Sequence, residues 1–320
     1  LAMLVERAGQ ISNFQKEKYF NVELDCDGIP AVKPKIFDPD EAEQLRSRCQ
    51  GSEAIVTAVK ETEKKVKAPK LYDLTTLQRE ANRIYGMTAK QTLDTAQSLY
   101  EKKLITYPRT DSQYLTEDME QTARNVVRQI YEKYQLTGPF DQPEQPDVKK
   151  VMNNSKVTDH HAIIPTMELA SCHLGELKSW EEKILFLIAV HTVMAMSKDH
   201  IYQETEIEVE CQEEIFKAKG KIVLQDGWKL FENCFKNKDR MAIVDPDQEM
   251  KERMPKVTQG QTFYAVAAEK TEHFTSPPKP YSEDTLLAAM ETAGNKEFDE
   301  DTEKKGLGTP ATRAGIIEKL

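Results

Sequence analysis

The feature that most constrains the fold is where a two-residue apolar alternation falls along the chain. In YFNVEL (19–24), Phe20, Val22 and Leu24 share one face, as in a half-buried strand. AIVTAVK (54–60) is a second strand candidate. The same period returns only far downstream, in TEIEVE (205–210), IFKAKGKIVL (215–224) and TFYAVAA (262–268). Between the two blocks, roughly 70–198 reads as helical. The economical arrangement is one β-rich domain made from two separated segments, with a helical domain inserted between them and two hinges joining them. A chain of 320 residues is long enough for two or three domains with their own cores.

Inside the insert, Asp73 caps a helix whose Leu74, Leu77, Ala81 and Ile84 form one stripe, ended by Gly86. Thr88 and Gln91 form a capping box opening a second helix, with Leu93, Ala96, Leu99 and Tyr100 on its apolar side. The short turn between them is helix-turn-helix geometry. LITYP follows as an extended piece, because Pro108 pushes Tyr107 out of the helical region. Thr116 is expected to cap a third helix reaching about Tyr134, and 137–158 reads as loop. Ser179 and Glu182 read as a capping box for the helix containing ILFLIAVHTVMAM (184–196), which is too short to span a bilayer and is expected to be buried core. After the linker FTSPPKPY, Ser282 caps EDTLLAAMETAG. The chain contains no internal repeat and no low-complexity run.

Charged residues at 31% and apolar residues at 39% make an ordinary globular composition. The net charge of −10 gives no general attraction to nucleic acid, so any such binding must use local basic patches. The charge is uneven: acidic residues concentrate at 203–214 and 297–303, and Lys60, Lys64, Lys65, Lys67 and Lys70 form a basic run. Five single cysteines without C-x-x-C spacing argue against a zinc ribbon or a disulfide framework, and a reducing, cytosolic setting is expected. LAMLVERAGQI at the start and ATRAGIIEKL at the end both lie inside apolar helical patterns, so a piece of a longer protein is expected.

Three stretches offer chemistry. In YPRTDS (107–112), Tyr107 is a weak nucleophile with an ordinary pKa near ~10. Arg109, two residues on in an extended segment, projects to the same side and can hold a phosphate bidentately, with Asp111 on that side again. A loop with a half-buried ring and a solvated Arg is the commoner outcome of such a pattern. In DHHAIIPT (159–166), His160 and His161 precede a buried Ala-Ile-Ile strand and face opposite ways, so only one can enter a given site. A histidine there could bond a phosphate oxygen or shuttle a proton, or be a satisfied loop residue. The pair lacks the spacing of a zinc helix. In GLGTPATRAG (306–315), Gly-x-Gly leads Thr309, Thr312 and Arg313 into a helix N-terminus, which suits an anion such as a backbone phosphate, or is a plain capped start. His191 inside the apolar helix is expected to be a core residue bonded to backbone; His173, His200 and His273 are isolated and carry no assignment.

Taken together and in this order, YPRTDS, HHAIIPT and GLGTPATRAGIIEKL resemble the type IA DNA topoisomerases, the HHAIIPT form being similar to the topoisomerase III branch. LAMLVER and LYDLTTLQREANRIYGMTAKQTLDTAQSLYEKKLITYPRTD are similar to the same family, and the resemblance covers essentially the whole chain. It implies a multidomain α+β fold, with a split β-rich arch over 14–66 and 201–270. The inserted, winged-helix-like domain would be 67–200, with 1–13 and 271–320 as pieces of a helical strand-binding domain. Hinges would lie near 67 and 200. The family's N-terminal metal-binding domain is missing from this stretch, so Mg²⁺ is implied for the full-length enzyme with no ligands in this chain, and little or no cleavage is expected from the chain alone.

The resemblance further implies ATP-independent relaxation or decatenation of DNA. Tyr107 would attack a phosphodiester of single-stranded DNA, leaving a 5′-phosphotyrosine and a free 3′-OH. Arg109 would stabilise the scissile phosphate and the phenolate, and His160 would contact DNA phosphate, while His161 occupies a position that varies. Asp111 and Ser112 match the motif in supporting roles, and Thr309, Thr312 and Arg313 match the strand-binding helix start. The implied setting is a cytoplasmic monomer on the bacterial nucleoid, with single-stranded DNA as substrate, no membrane, and a helicase or other DNA-processing protein as a partner. Two other classes stay open at this point: a non-catalytic winged-helix DNA-binding module, and a tyrosine recombinase or type IB enzyme, whose tyrosine lies C-terminal to separated Arg and His residues and leaves a 3′ link.

Overall fold

The computed structural model describes residues 1–136, 146–236, 255–294 and 306–320. The acidic stretch 297–303 lies outside them, as does 137–145 of the expected loop. In chain order the elements are α1 (Ala2–Ser12), β1 (Lys18–Cys26), β2 (Ile29–Ile36), α2 (Pro39–Cys49), β3 (Ala54–Val66), α3 (Leu74–Tyr85), α4 (Ala89–Glu101), α5 (Glu120–Tyr134) and α6 (Ser179–Ala195). They continue with β4 (His200–Cys211), β5 (Glu214–Gln225), α7 (Lys229–Lys236), β6 (Thr262–Phe263), β7 (Ala267–Phe274), α8 (Glu283–Thr292) and α9 (Pro310–Ile317).

Seven strands form one antiparallel sheet in the order β6-β3-β4-β5-β2-β1-β7. Strands from before and after the helical stretch are interleaved in it, so neither block makes the sheet alone. Its buried face carries Phe20, Val22, Leu24, Val56, Ile207, Val209 and Phe216, covered by Ala42, Leu45 and Cys49 of α2. Each large side chain removed from water here contributes about 1.5–3 kcal/mol. Beyond this core, the outer half of β3 runs on to Val66 as a solvated ribbon. There Lys60 faces Glu206 across the ladder, Lys64 lies 3.8 Å from Glu204, and Glu206 and Glu208 pair with Lys219 and Lys217 of β5. Exposed pairs of this kind are screened by solvent and add little to stability. The lysine run of 60–65 is thus largely matched by the acidic run of β4.

Three expected elements differ. TFYAVAA is not one strand: Ala265 takes a left-handed φ of 53°, splitting it into β6 and β7. The third helix opens with a 3₁₀ turn over Glu117–Met119, and Thr116 makes no side-chain cap bond. At α6 the box sits one residue early, with Lys178 as N-cap and Glu181 reaching back to its N–H (2.9 Å). Glu181 takes that role because the same carboxylate also accepts from Ser98 of α4 (2.7 Å) and from Lys102 at its C-cap (2.6 Å), tying the two helices together. The cap residues Asp73, Thr88 and Ser282 all hold reciprocal boxes, and Gly86 closes α3 at φ 67°. The helices share a core of Leu77, Leu99, Val126, Ile130, Ile163 and the nearly all-buried α6. A smaller cluster of Leu74, Ala89, Leu93, Leu287 and Ala314 seats α8 and α9 on α3 and α4.

Glu181 yields a prediction. Burial alone would raise its pKa, but the bonds from Lys102, the Lys178 N–H and Ser98 outweigh it and hold the carboxyl at about 2, below its ordinary 4.5. A depressed acid stabilises the fold above its ordinary value, and that contribution is lost as pH falls from 4.5 towards 2. Glu181→Gln should cost about 2–3 kcal/mol at neutral pH by chemical denaturation, and the gap to the parent should close over that window. A gap that stays constant with pH would contradict the assignment.

Candidate active site

The chain leaves α4 through Lys103 in a left-handed turn (φ 61°), and Leu104 and Ile105 plunge into the core. The LITYP and HHAIIPT segments then zip together. Thr106 N–H donates to Ile164 O (3.0 Å), the Thr106 hydroxyl donates to Ala162 O (2.9 Å), and Ile105 bridges Pro165 while Tyr72 bridges Ile163. Ala162, Ile163 and Ile164 are buried as expected, but through single bridges rather than a continuous strand. This pairing brings two motifs some fifty residues apart against one another (Thr110 and His160 are separated by 50).

Tyr107 emerges half-buried. Its ring lies 4.2 Å from the His160 ring at 39°, and Tyr100 meets it edge-on at 5.4 Å. From here the chain alternates: Arg109 and Asp111 are exposed, whereas Thr110 and Ser112 are buried. Thr110 is the pin. Its hydroxyl donates to His160 O (2.8 Å) and accepts from Ser112 N–H (3.1 Å), while its carbonyl accepts from Leu74 N–H at the start of α3 (3.0 Å). The Ser112 hydroxyl donates to Lys156 O (2.8 Å), so it holds the loop from within. Thr110 was not singled out by sequence, although its place in the alternation opposite Arg109 was the available signal. Thr110→Val leaves a buried carbonyl and N–H without their partner. It should destabilise by about 1–3 kcal/mol, with Thr110→Ser recovering most of the loss in a denaturation series. A change within about 0.5 kcal/mol, as for an ordinary surface site, would argue against the pin.

The third motif arrives through a loop whose glycines have a specific task. Gly306 (φ 64°) presses on the end of α8, where a Cβ would lie 2.3 Å from Glu291 O. Thr309 and Thr312 then cap α9 reciprocally, with Thr309 N–H donating to the Thr312 hydroxyl (2.9 Å). Arg313, expected on an anion-facing first turn, is instead turned inward and buried. Its guanidinium donates to the Thr75 hydroxyl (3.0 Å) and to Leu307 O (3.2 Å), because its place on α9 faces α3.

These segments surround a cleft of about 190 Å³ lined by Arg109, Asp111, Asp159, His160, Thr309 and Pro310 among others. Of the candidate residues, the structure brings Arg109, Asp111, His160 and Thr309 to the wall and sets Tyr107 against His160. Ser112, Thr312 and Arg313 are engaged in internal bonds. Arg109 makes no ion pair among the described residues, so its fork of donors is open to an anion, although Asp111 and Asp159 offset its charge. At the start of α3, burial pushes the Asp73 carboxyl up to about 6, against the lowering bonds from Thr76 and Gln113. His191 is a core histidine as expected, its Nε2 bonded to Lys70 O (2.8 Å). Among the described residues no group of three or more His, Cys, Asp or Glu is arranged to hold a metal ion. No helix there is long and apolar enough to cross a membrane.

A family model described as DNA topoisomerase matches residues 1–320. The chain is similar to DNA topoisomerase 3 of Bacillus licheniformis, 37% identical over 345 residues, covering 100% of this chain and 45% of that protein. It is 36% identical over 339 residues to DNA topoisomerase 3 of Bacillus subtilis, with the same two coverages. The chain thus spans less than half the length of these relatives. Among solved structures, full-length topoisomerase I from Thermotoga maritima superposes with a TM-score of 0.69 at 25% identity, over 100% of this chain and 49% of that one. A match that runs through every residue, the three converging motifs included, leaves no segment to another lineage: the chain belongs to the type IA DNA topoisomerase family.

Proposed function

We propose that this chain carries the nucleophile side of a DNA strand-cleavage centre. The Tyr107 phenol attacks a phosphodiester of single-stranded DNA. The new bond joins the tyrosine oxygen to the 5′-phosphate, the bond from phosphorus to the 3′ oxygen breaks, and the proton lost by the phenol balances the one gained by the 3′-OH. Because one phosphodiester replaces another, religation is the reverse step and requires no ATP. Arg109 offsets charge on the phosphate and the attacking oxygen. His160, its ring tilted against that of the nucleophile, contacts a phosphate oxygen from the cleft wall. Asp111 and Thr309 line the strand's path, and Ser112, Thr312 and Arg313 hold the walls. The observation that carries this reading is the convergence of three distant motifs on one cleft beside the Tyr107–His160 pair.

In a protein of the relatives' length, the activity is topoisomerase III-like relaxation or decatenation. The arch of 14–66 and 201–270 would swing the winged-helix-like 67–200 unit away from the strand-binding pieces, 1–13 and 271–320, to let a strand pass. The implied Mg²⁺ would be held by a segment beyond this chain, and no step above runs through it. A cytoplasmic monomer acting beside a helicase fits the same reading. The test is covalent trapping on end-labelled single-stranded DNA by the chain in its full-length setting. A 5′ adduct that requires Tyr107 supports the reading; a protein that binds the strand without any adduct would make this a binding module.

A further inference from the structure

The two walls of the cleft come from distant parts of the chain: residues 109–111 and 158–160 on one side, 309–311 on the other. Three consecutive residues at the start of α3 reach both. Asp73 is the N-cap; its Oδ1 accepts from Thr76 N–H (2.7 Å), and its Oδ2 accepts from Gln113 Nε2 (2.9 Å), one residue past YPRTDS. The first N–H groups of a helix have no partner within it. That of Leu74 donates to Thr110 O (3.0 Å), and the Thr110 hydroxyl in turn holds His160 O (2.8 Å). Thr75 serves the opposite wall. Its hydroxyl accepts from the Arg313 guanidinium of α9 (3.0 Å), while the Leu74 side chain shares a cluster with Ala314.

These bonds are shielded from water, because Asp73, Leu74, Thr75 and Arg313 are all buried. The Arg313 guanidinium also donates to Leu307 O (3.2 Å), which ties it to the glycine loop leading into α9. Taking a guanidinium out of water is costly, and an apolar side chain of similar size holds two helices together at least as well. What the apolar contact lacks is direction. The planar fork with fixed donors specifies one register of α9 on α3, whereas the Leu74–Ala314 contact tolerates sliding.

We propose that Thr75 and Asp73 are positioning residues for strand cleavage: through Arg313 and Gln113 they set the α9 wall in register with the loop of Tyr107, without touching the strand. The proposal rests on the reading of Tyr107 as the nucleophile. A strand lying in the cleft meets both walls, and the in-line approach of the phenol to the phosphate depends on their alignment. A misplacement of about 1 Å costs on the order of 10²-fold in rate. Each wall still holds its own part of the strand when the register is lost. The loss therefore falls on the rate at saturation and hardly on affinity.

Thr75→Val keeps the shape and deletes the acceptor, and Thr75→Ser keeps the acceptor. In the full-length protein, the rate of adduct formation is followed against single-stranded DNA concentration. Thr75→Val should lower the saturated rate by about tenfold to a hundredfold and move the half-saturating concentration by less than about twofold, with Thr75→Ser recovering most of the loss. Gln113→Leu changes a half-buried position and tests the other bond even if Thr75→Val does not fold; about a threefold or greater loss of the same rate is expected. In the 320-residue chain, the His160 ring resonances should move in either variant, because Thr110 links His160 O to Leu74. A saturated rate within about twofold of the parent's in the folded variants, or a loss confined to half-saturation, overturns the proposal. A parent that forms no adduct sinks the Tyr107 reading instead. The His160 resonances need no chemistry and then decide the register alone: unmoved, they overturn it.

Discussion

Tyr107→Phe is expected to abolish the covalent protein–DNA adduct while leaving the fold and strand binding in place. The ring makes the structural contacts at this position, with His160 at 4.2 Å and Tyr100 at 5.4 Å, and Phe keeps both. Only the hydroxyl is lost, and the hydroxyls of Thr110 and Thr309 on the cleft wall are taken up in internal bonds. Deleting a nucleophile without replacement lowers rates on the order of 10⁴-fold or more. Adduct formed per unit time by the full-length protein, read beside its melting temperature, separates the two effects. Adduct from the Phe variant at a rate near the parent's would remove Tyr107 from the chemistry.

Arg109→Ala should slow adduct formation by about 10²–10³-fold, the scale on which one donor to a developing oxyanion acts. Arg109 is exposed and makes no ion pair among the described residues, so stability should move by less than about 0.5 kcal/mol. The loss belongs mainly in kcat, because the charge it offsets grows along the reaction, and less in strand affinity. Arg109→Lys restores a point charge but not the planar fork, and an intermediate rate is expected. Equal rates for Ala and the parent would make Arg109 a solvated loop residue, as its local pattern alone suggests.

Why some of this was readable in advance and some was not follows from which interactions are local. Strand alternation and caps are local, so β1, β4 and β5 and the caps at Asp73, Thr88 and Ser282 could be read from spacing. β2 escaped because Pro30 and Pro34 interrupt its pattern, and α2 because only Ala42, Leu45 and Cys49 of its eleven residues reach the core. The outer half of β3 hides for another reason: its lysines read only as a basic run until β4 supplies the facing carboxylates. At the cleft, the shared side of Arg109 and Asp111 was legible as a period of two. The inward turn of Arg313 was not, since it depends on where α9 docks against Thr75, more than two hundred residues away in sequence. The unpaired Nδ1 of His191 is of the same kind: the helix pattern marks the residue as core, but only the fold shows that none of the described residues donates to it.

The most direct measurement is the chemical identity of the trapped link. After trapping on single-stranded DNA and digestion with nuclease and protease, mass spectrometry should find one modified peptide, containing Tyr107, that carries a nucleotide through its 5′-phosphate. A link through a 3′-phosphate, or the same mass on any other residue, would contradict the account.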